Sequence, residues 1–150
     1  MSPPAPLSRS ELEALTLRFC DAFNQNDLDG VMRYFAEDAV YETFDGHSAR
    51  GLPAIREAFV PQFRGDFGRM RFLTEDVLVD ETTGQVVLRW RCQHSVSGTR
   101  AGLKALLYRG LYGPEFGWYG LDVLRFSGGL LREKRTYAQA KLPLVRRGAP

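Results

Sequence analysis

The hydrophobic spacing of this chain changes period once, near Gly68, and that change limits the folds open to it. Upstream, apolar residues recur every three or four positions, as on a helix face; downstream they alternate or run together, as in strands. Ser8 and Glu11 have capping-box spacing, and Leu12, Leu15, Phe19, Ala22 and Phe23 share one helical face, which predicts a first helix ending near Asn26. Asp27 can cap a second helix over LDGVMRYFAED, and the following AVYETF reads as a first strand. Gly51–Pro53 places a proline at the first position of a third helix, AIREAFVPQF, which Pro61 should kink or end. Beyond Gly68, residues 70–79 and 85–96 predict a hairpin turning at Asp80–Gly84, and Trp118–Phe126 and Leu130–Ala138 predict another turning at Ser127–Gly129. The glycine-bounded segment 98–117 between them reads as a long mobile insertion with a short helix at Leu103–Arg109. Three N-terminal helices followed by antiparallel strands predict an α+β fold, a curved, mostly antiparallel sheet folded over the helices. Where helices do not plug such a sheet, a pocket open at one end remains.

A chain of 150 residues with 44% hydrophobic content supports one core, so a single domain over 8–142 is expected. The three prolines within residues 1–7 predict a disordered lead-in, and Pro143 begins a tail over 143–150. Twenty basic and 18 acidic residues are interspersed along the sequence, which predicts neither a nucleic-acid nor a membrane partner. Cys20 and Cys92 stand apart, without a CxxC pair or a histidine cluster, so buried free thiols are expected rather than a disulfide or a metal site. With no leader pattern and no run of ~20 apolar residues, the expected location is cytoplasmic.

One residue stands out against this pattern. In WYGLDVLRF, alternation puts Trp118, Gly120, Asp122, Leu124 and Phe126 on one face, so Asp122 keeps apolar company. A buried carboxylate is costly unless structure or chemistry requires it. On VVLRWRCQHSV the same alternation turns Trp90, Cys92 and His94 inward and Arg89, Arg91 and Gln93 outward. If Trp90 pairs with Phe126, His94 lies opposite Asp122, within hydrogen-bonding reach.

The stretches RFCDAFNQNDLDGVMRYFAEDAVYET, GLPAIREAF and GLDVLRFSGGLLREK resemble the nuclear transport factor 2-like superfamily, and within it the ketosteroid isomerase and SnoaL-like polyketide cyclase branch. The resemblance spans about Leu12 to Tyr137 and implies a cone-shaped fold. In the steroid isomerases a first-helix tyrosine and a late-strand aspartic acid form the oxyanion hole, and a further aspartate is the base. Phe19 stands at the tyrosine position and Thr43 at the base position, while Asp122 matches the late-strand acid. The resemblance therefore implies aldol-type cyclase or isomerase chemistry, without a cofactor, in which Asp122 is acid/base.

Three catalytic candidates follow: Asp122, His94 and Tyr41, the last as donor to a substrate carbonyl. Candidate substrate contacts are Phe19, Thr43, Phe44, Trp90, Trp118 and, in the insertion, Tyr108. Each has a plainer role, as core aromatic or satisfied buried pair. His47 reads as turn chemistry, and Arg132, Glu133, Lys134 and Arg135 as a solvated outer face. The expected partner is a small hydrophobic molecule next to whose carbonyl a proton is moved. The alternative is a non-catalytic ligand-binding or assembly domain, and the resemblance implies a homodimer paired through the outer sheet face. An Asp–Arg–Asp hydrolytic set lacks its second inward aspartate and its inward arginine.

Overall fold

The computed structural model describes residues 5–66, 68–96, 102–113 and 115–139. Helix α1 (Arg9–Asn24) begins with the expected capping box: the Glu11 N–H donates to Ser8 Oγ, and the Ser8 N–H donates to the Glu11 carboxylate at 2.8 Å. Its apolar face buries Leu12, Phe19 and Cys20, and Leu7 packs against the same core. Most of the expected lead-in and tail, residues 1–4 and 140–150, lies outside the described residues.

Helix α2 (Leu28–Met32) is capped by Asp27, whose carboxylate accepts from the Gly30 N–H at 2.8 Å. It is shorter than its periodicity predicts. Strand β1 (Phe35–Glu42) starts while the sequence still reads as helix, because Tyr34 and Phe35 are claimed by a distant strand: the Leu131 N–H donates to the Tyr34 carbonyl at 2.7 Å. Tertiary pairing outweighs local propensity there. A short strand β2 (Ser48–Arg50), absent from the sequence reading, folds back on β1 through the exposed turn at Thr43–His47.

Helix α3 (Gly51–Phe63) starts at Gly51, whose φ of +78° lets the chain leave β2 sharply, so Pro53 sits at the third helical position rather than the first. Pro61 falls in the last turn, where its missing N–H leaves one carbonyl unpaired near the helix end, and the helix runs two residues past it. Ile55 and Phe59 are its buried residues.

Strands β3 (Arg69–Asp80) and β4 (Gln85–Ser95) form the expected hairpin, and β5 (Glu115–Ser127) and β6 (Leu130–Gln139) the second. Between the hairpins, helix α4 (Leu103–Tyr112) is longer than expected and β5 begins three residues earlier, so the insertion is largely structured. Ala105 faces inward, whereas Leu103, Leu106, Leu107 and Leu111 are exposed. The sheet runs β2-β1-β6-β5-β4-β3, with β1 and β6 parallel and every other pair antiparallel. This is the expected curved, mostly antiparallel sheet over the helices.

A β-bulge in β6 matters for the site. Arg125 pairs with Glu133 but Phe126 pairs with Leu131, so Arg132 has no partner across the ladder. The extra residue shifts the alternation, and Leu131 and Lys134 both turn inward. Among the described residues no helix is long and apolar enough to cross a membrane.

Candidate functional site

Asp122 points into the fold, as its strand position predicts, and only 6% of it is exposed. Its partner is not the expected one. In the β4–β5 ladder Asp122 pairs with Leu88 and Trp90 with Gly120, while His94 pairs with Phe116. His94 and Asp122 are thus six ladder positions apart, about 20 Å at a strand's rise per residue. The expected Trp90–Phe126 register is excluded because Gly120 is what fits under the indole: a Cβ there would lie 2.5 Å from the Trp90 ring.

The group that meets Asp122 is Lys134, read from sequence as part of a solvated face and in fact 4% exposed. Its ammonium lies 2.7 Å from Asp122 Oδ1. Thr136, directly opposite Asp122 in the ladder, completes a triangle: Lys134 Nζ donates to Thr136 Oγ1 at 2.6 Å, and Thr136 Oγ1 donates to Asp122 Oδ1 at 2.7 Å. Lys134 also sits 4.9 Å from the centre of the Tyr41 ring, which is stacked on Phe59. Burial raises the Tyr41 phenol above its ordinary pKa, with the nearby ammonium opposing the shift. On the helix side lies Cys20, its thiol pushed up to about 12 by burial first and then by the Asp122 charge. The result is a closed polar knot inside the core.

The remaining sequence candidates scatter. Phe19 is wholly inside the aromatic core, edge-to-face with Phe23, Tyr34 and Phe35. Trp90 is buried edge-to-face with Phe72, and its indole Nε1 finds no hydrogen-bond partner among the described residues. Thr43 belongs to the exposed β1–β2 turn, where its hydroxyl donates to Asp45; Phe44 and His47 are exposed beside it. Among the described residues no hydrogen bond joins any of these three turn residues to Asp122, Lys134 or Thr136. Tyr108 lies on α4, with its side chain outside the described residues.

His94 belongs to a different place. A cavity of about 960 Å³ opens between the last turn of α1 and the ends of β3, β4 and β5. Asp21, Asn24 and Gln25 line it from the helix; Arg69, Met70 and Arg71 line it from β3. Arg91, Gln93, His94 and Ser95 of β4 and Gly117 and Tyr119 of β5 complete the wall, which wraps the β3 edge of the sheet. By strand alternation the arginines, Gln93 and Tyr119 lie on the outer face and Met70 and His94 on the inner one, and Asp122 is not part of the wall. Asn24 fixes the helix end to the sheet: its Nδ2 donates to the Phe72 carbonyl at 2.9 Å, and its Oδ1 accepts the Phe72 N–H at 2.8 Å. His94 is buried at the cavity wall, with Nε2 3.5 Å from Cys92 Sγ and its ring edge-to-face with Trp118. Burial pushes the Cys92 thiol up to about 12, so that sulfur is held as a thiol. Among the described residues no group of three His, Cys, Asp or Glu side chains could hold a metal ion.

The helices, the sheet order and the inward late-strand aspartate together define a recognisable cone, and residues 16–134 match the SnoaL-like domain family. The chain belongs to that family. Among solved structures, a protein described as a SnoaL-like polyketide cyclase from Jannaschia sp. CCS1 superposes with a TM-score of 0.69 at 16% identity, over 92% of this chain and 91% of that one. SalBIII, an epoxide hydrolase/cyclase-like enzyme of pyran ring formation in the polyether salinomycin, gives 0.69 at 13% identity, over 88% and 93%. A cystatin-like-fold protein of unknown function from Methylobium petroleophilum PM1 gives 0.66 at 18% identity, over 93% and 82%. At these identities the likeness is one of fold. No curated protein matches the chain.

Sequence reasoning missed Lys134, Thr136 and the arginines of the cavity. No signal in LLREKRT marks the bulge that turns Lys134 inward. The arginines did leave one, since RMRF and RWRC repeat an arginine at alternate positions, which places each pair on one face of its strand.

Proposed function

We propose that this SnoaL-like chain binds a small molecule in the cavity beside His94, and that Asp122 is a structural group rather than an acid or base. The observation that carries this reading is the closure of Asp122. Its carboxylate has an ammonium and a hydroxyl within hydrogen-bonding distance, and it lines none of the cavity that a ligand could enter. An acid/base group must come within about 3 Å of the proton it moves. Of the two expectations, cyclase- or isomerase-type chemistry at Asp122 and small-ligand binding without it, the geometry favours the second. The larger apolar groups of the wall, Met70 on the inner face and the Tyr119 ring on the outer, are split by the sheet edge, and the rest of the wall is mostly polar. A second reading, proton transfer next to a carbonyl as in the cyclases of this family, is favoured by one observation, a buried imidazole at the cavity wall; it would make His94 the acid/base group.

Thermal-shift screening of aromatic and polycyclic carbonyl compounds tests the proposal, because a ligand that binds only the folded state raises the midpoint. Hits should persist in the Asp122→Leu/Lys134→Met double variant and disappear in Gln93→Trp, which fills the cavity from an exposed strand position. Hits lost in the double variant and unchanged in Gln93→Trp would return the function to Asp122.

A further inference from the structure

We infer that the ligand of this cavity carries an oxyanion, a carboxylate or a phosphate, held by Arg69, Arg71 and Arg91. The inference rests on the cavity being the binding site and adds the ligand's chemical class. It comes from how the arginines of the sheet are partnered. Strands β3 to β6 carry Arg69, Arg71, Arg89, Arg91, Arg125, Arg132 and Arg135. Arg89 pairs with Glu75 and Asp76, Arg125 with Glu133, Arg132 with Asp38, and Arg135 with Glu42 and Glu133. The other three have no ion pair among the described residues, and all three line the cavity.

The ladder register brings these three together. Arg71 lies opposite Gln93 and Arg91 opposite Leu73, so Arg71 and Arg91 are diagonal neighbours, about 7–8 Å apart at the backbone and within reach of one another's long side chains. Arg69 is two residues before Arg71, on the same face. Like charges so placed repel, and strands β3 to β6 elsewhere answer each arginine with an acid. Asp21, at the end of α1 on the other side of the β3 edge, is the acidic residue of the described wall, which leaves an excess of positive charge on the arginines' side of the opening.

A second observation is independent of the charge count. The Nε–H of Arg91 is buried and has no hydrogen-bond partner among the described residues. A guanidinium presents its donors as a planar fork, suited to two oxygens of one carboxylate or phosphate, and a small turn of this half-buried side chain toward the opening would give its unanswered Nε–H such an oxygen. Gln93, Ser95 and Tyr119 add neutral donors around the same opening.

Matched probes test this: 2-naphthoate against 2-naphthamide for a carboxylate, and 1-naphthyl phosphate against 1-naphthol for a phosphate, with affinities measured by calorimetry on the full chain. At least one anionic member should bind, its neutral counterpart should bind about tenfold or more weakly, and the preference should fall as salt is raised. Arg91→Met and Arg71→Met should each weaken the anion about tenfold or more, and Arg91→Lys, which keeps the charge without the fork, should weaken it as well. Arg89→Met, on the same strand but paired elsewhere, should leave it unchanged. Equal binding of anionic and neutral members, indifferent to the arginine variants but lost in Gln93→Trp, would overturn the oxyanion and leave the cavity reading standing. Binding of neither member of either pair would overturn both.

Discussion

Replacing Lys134 with methionine removes an ammonium from the core and leaves the Asp122 carboxylate buried with Thr136. The side chains of Lys134 and Asp122 are 5% and 8% exposed and 2.7 Å apart. At an effective dielectric near 20, a pair at that distance attracts by about 6 kcal/mol. Withdrawing each ion from water costs several kcal/mol, so the intact pair comes out close to neutral. Removing one partner forfeits the attraction and keeps the other ion's desolvation. Lys134→Met should therefore destabilise the fold by about 3–5 kcal/mol. With an m-value of about 2 kcal/mol per molar urea, the unfolding midpoint should fall by about 2 M. The double variant Asp122→Leu/Lys134→Met removes both desolvation costs, and its midpoint should return to the wild-type value or exceed it. Urea unfolding followed by far-ultraviolet circular dichroism measures all three proteins. A single variant within about 1 kcal/mol of wild type, or a double variant as unstable as the single, would refute the reasoning.

Three further outcomes are expected. Gly120→Ala puts a Cβ 2.5 Å from the Trp90 ring and 2.5 Å from the Tyr137 carbonyl, so it should cost about 1–3 kcal/mol in urea unfolding; an unchanged midpoint would mean the indole does not lie over Gly120. Cys20 and Cys92, pushed up to about 12 by burial, should fail to react with Ellman's reagent in the native state and should react at once in urea, and full native reactivity would contradict their burial. Because both thiols ionise at higher pH in the folded state, the unfolded chain loses these protons first; the stability they confer is complete below the ordinary thiol value of 9.0 and is lost as pH rises from there towards about 12, so urea midpoints should fall across that window.

The fold was largely legible because its signals are local. Ser8 and Glu11 announce α1, the Asp80–Gly84 and Ser127–Gly129 turns announce the two hairpins, and each element stands where those residues place it. The departures arise where distant partners decide. Phe35 is drawn into β1 by its pairing with Leu131 of β6, and β2 exists as a strand only through its pairing with β1. The site was legible to the same extent. Period-two alternation correctly turned Asp122 and His94 inward, but which residues meet across a sheet depends on register, and the register follows Gly120 beneath Trp90. Lys134 was hidden by the bulge at Arg132, since a charged run without that extra residue would keep its alternation and present this lysine on the other face. Arg91 was placed correctly on the face away from Trp90, yet its significance lies in the unanswered Nε–H, which only coordinates reveal.

Reductive methylation of the intact protein, read residue by residue by peptide mass spectrometry, asks most directly whether Lys134 is the buried partner of Asp122. Lys104, Lys134 and Lys141 are the lysines of the chain, so the modification pattern is simple to assign. Lys134 should stay unmodified in the native protein and become fully methylated in urea. Native methylation of Lys134 at the rate seen in urea would place its ammonium in solvent, and the closed carboxylate on which the proposed function rests would be contradicted.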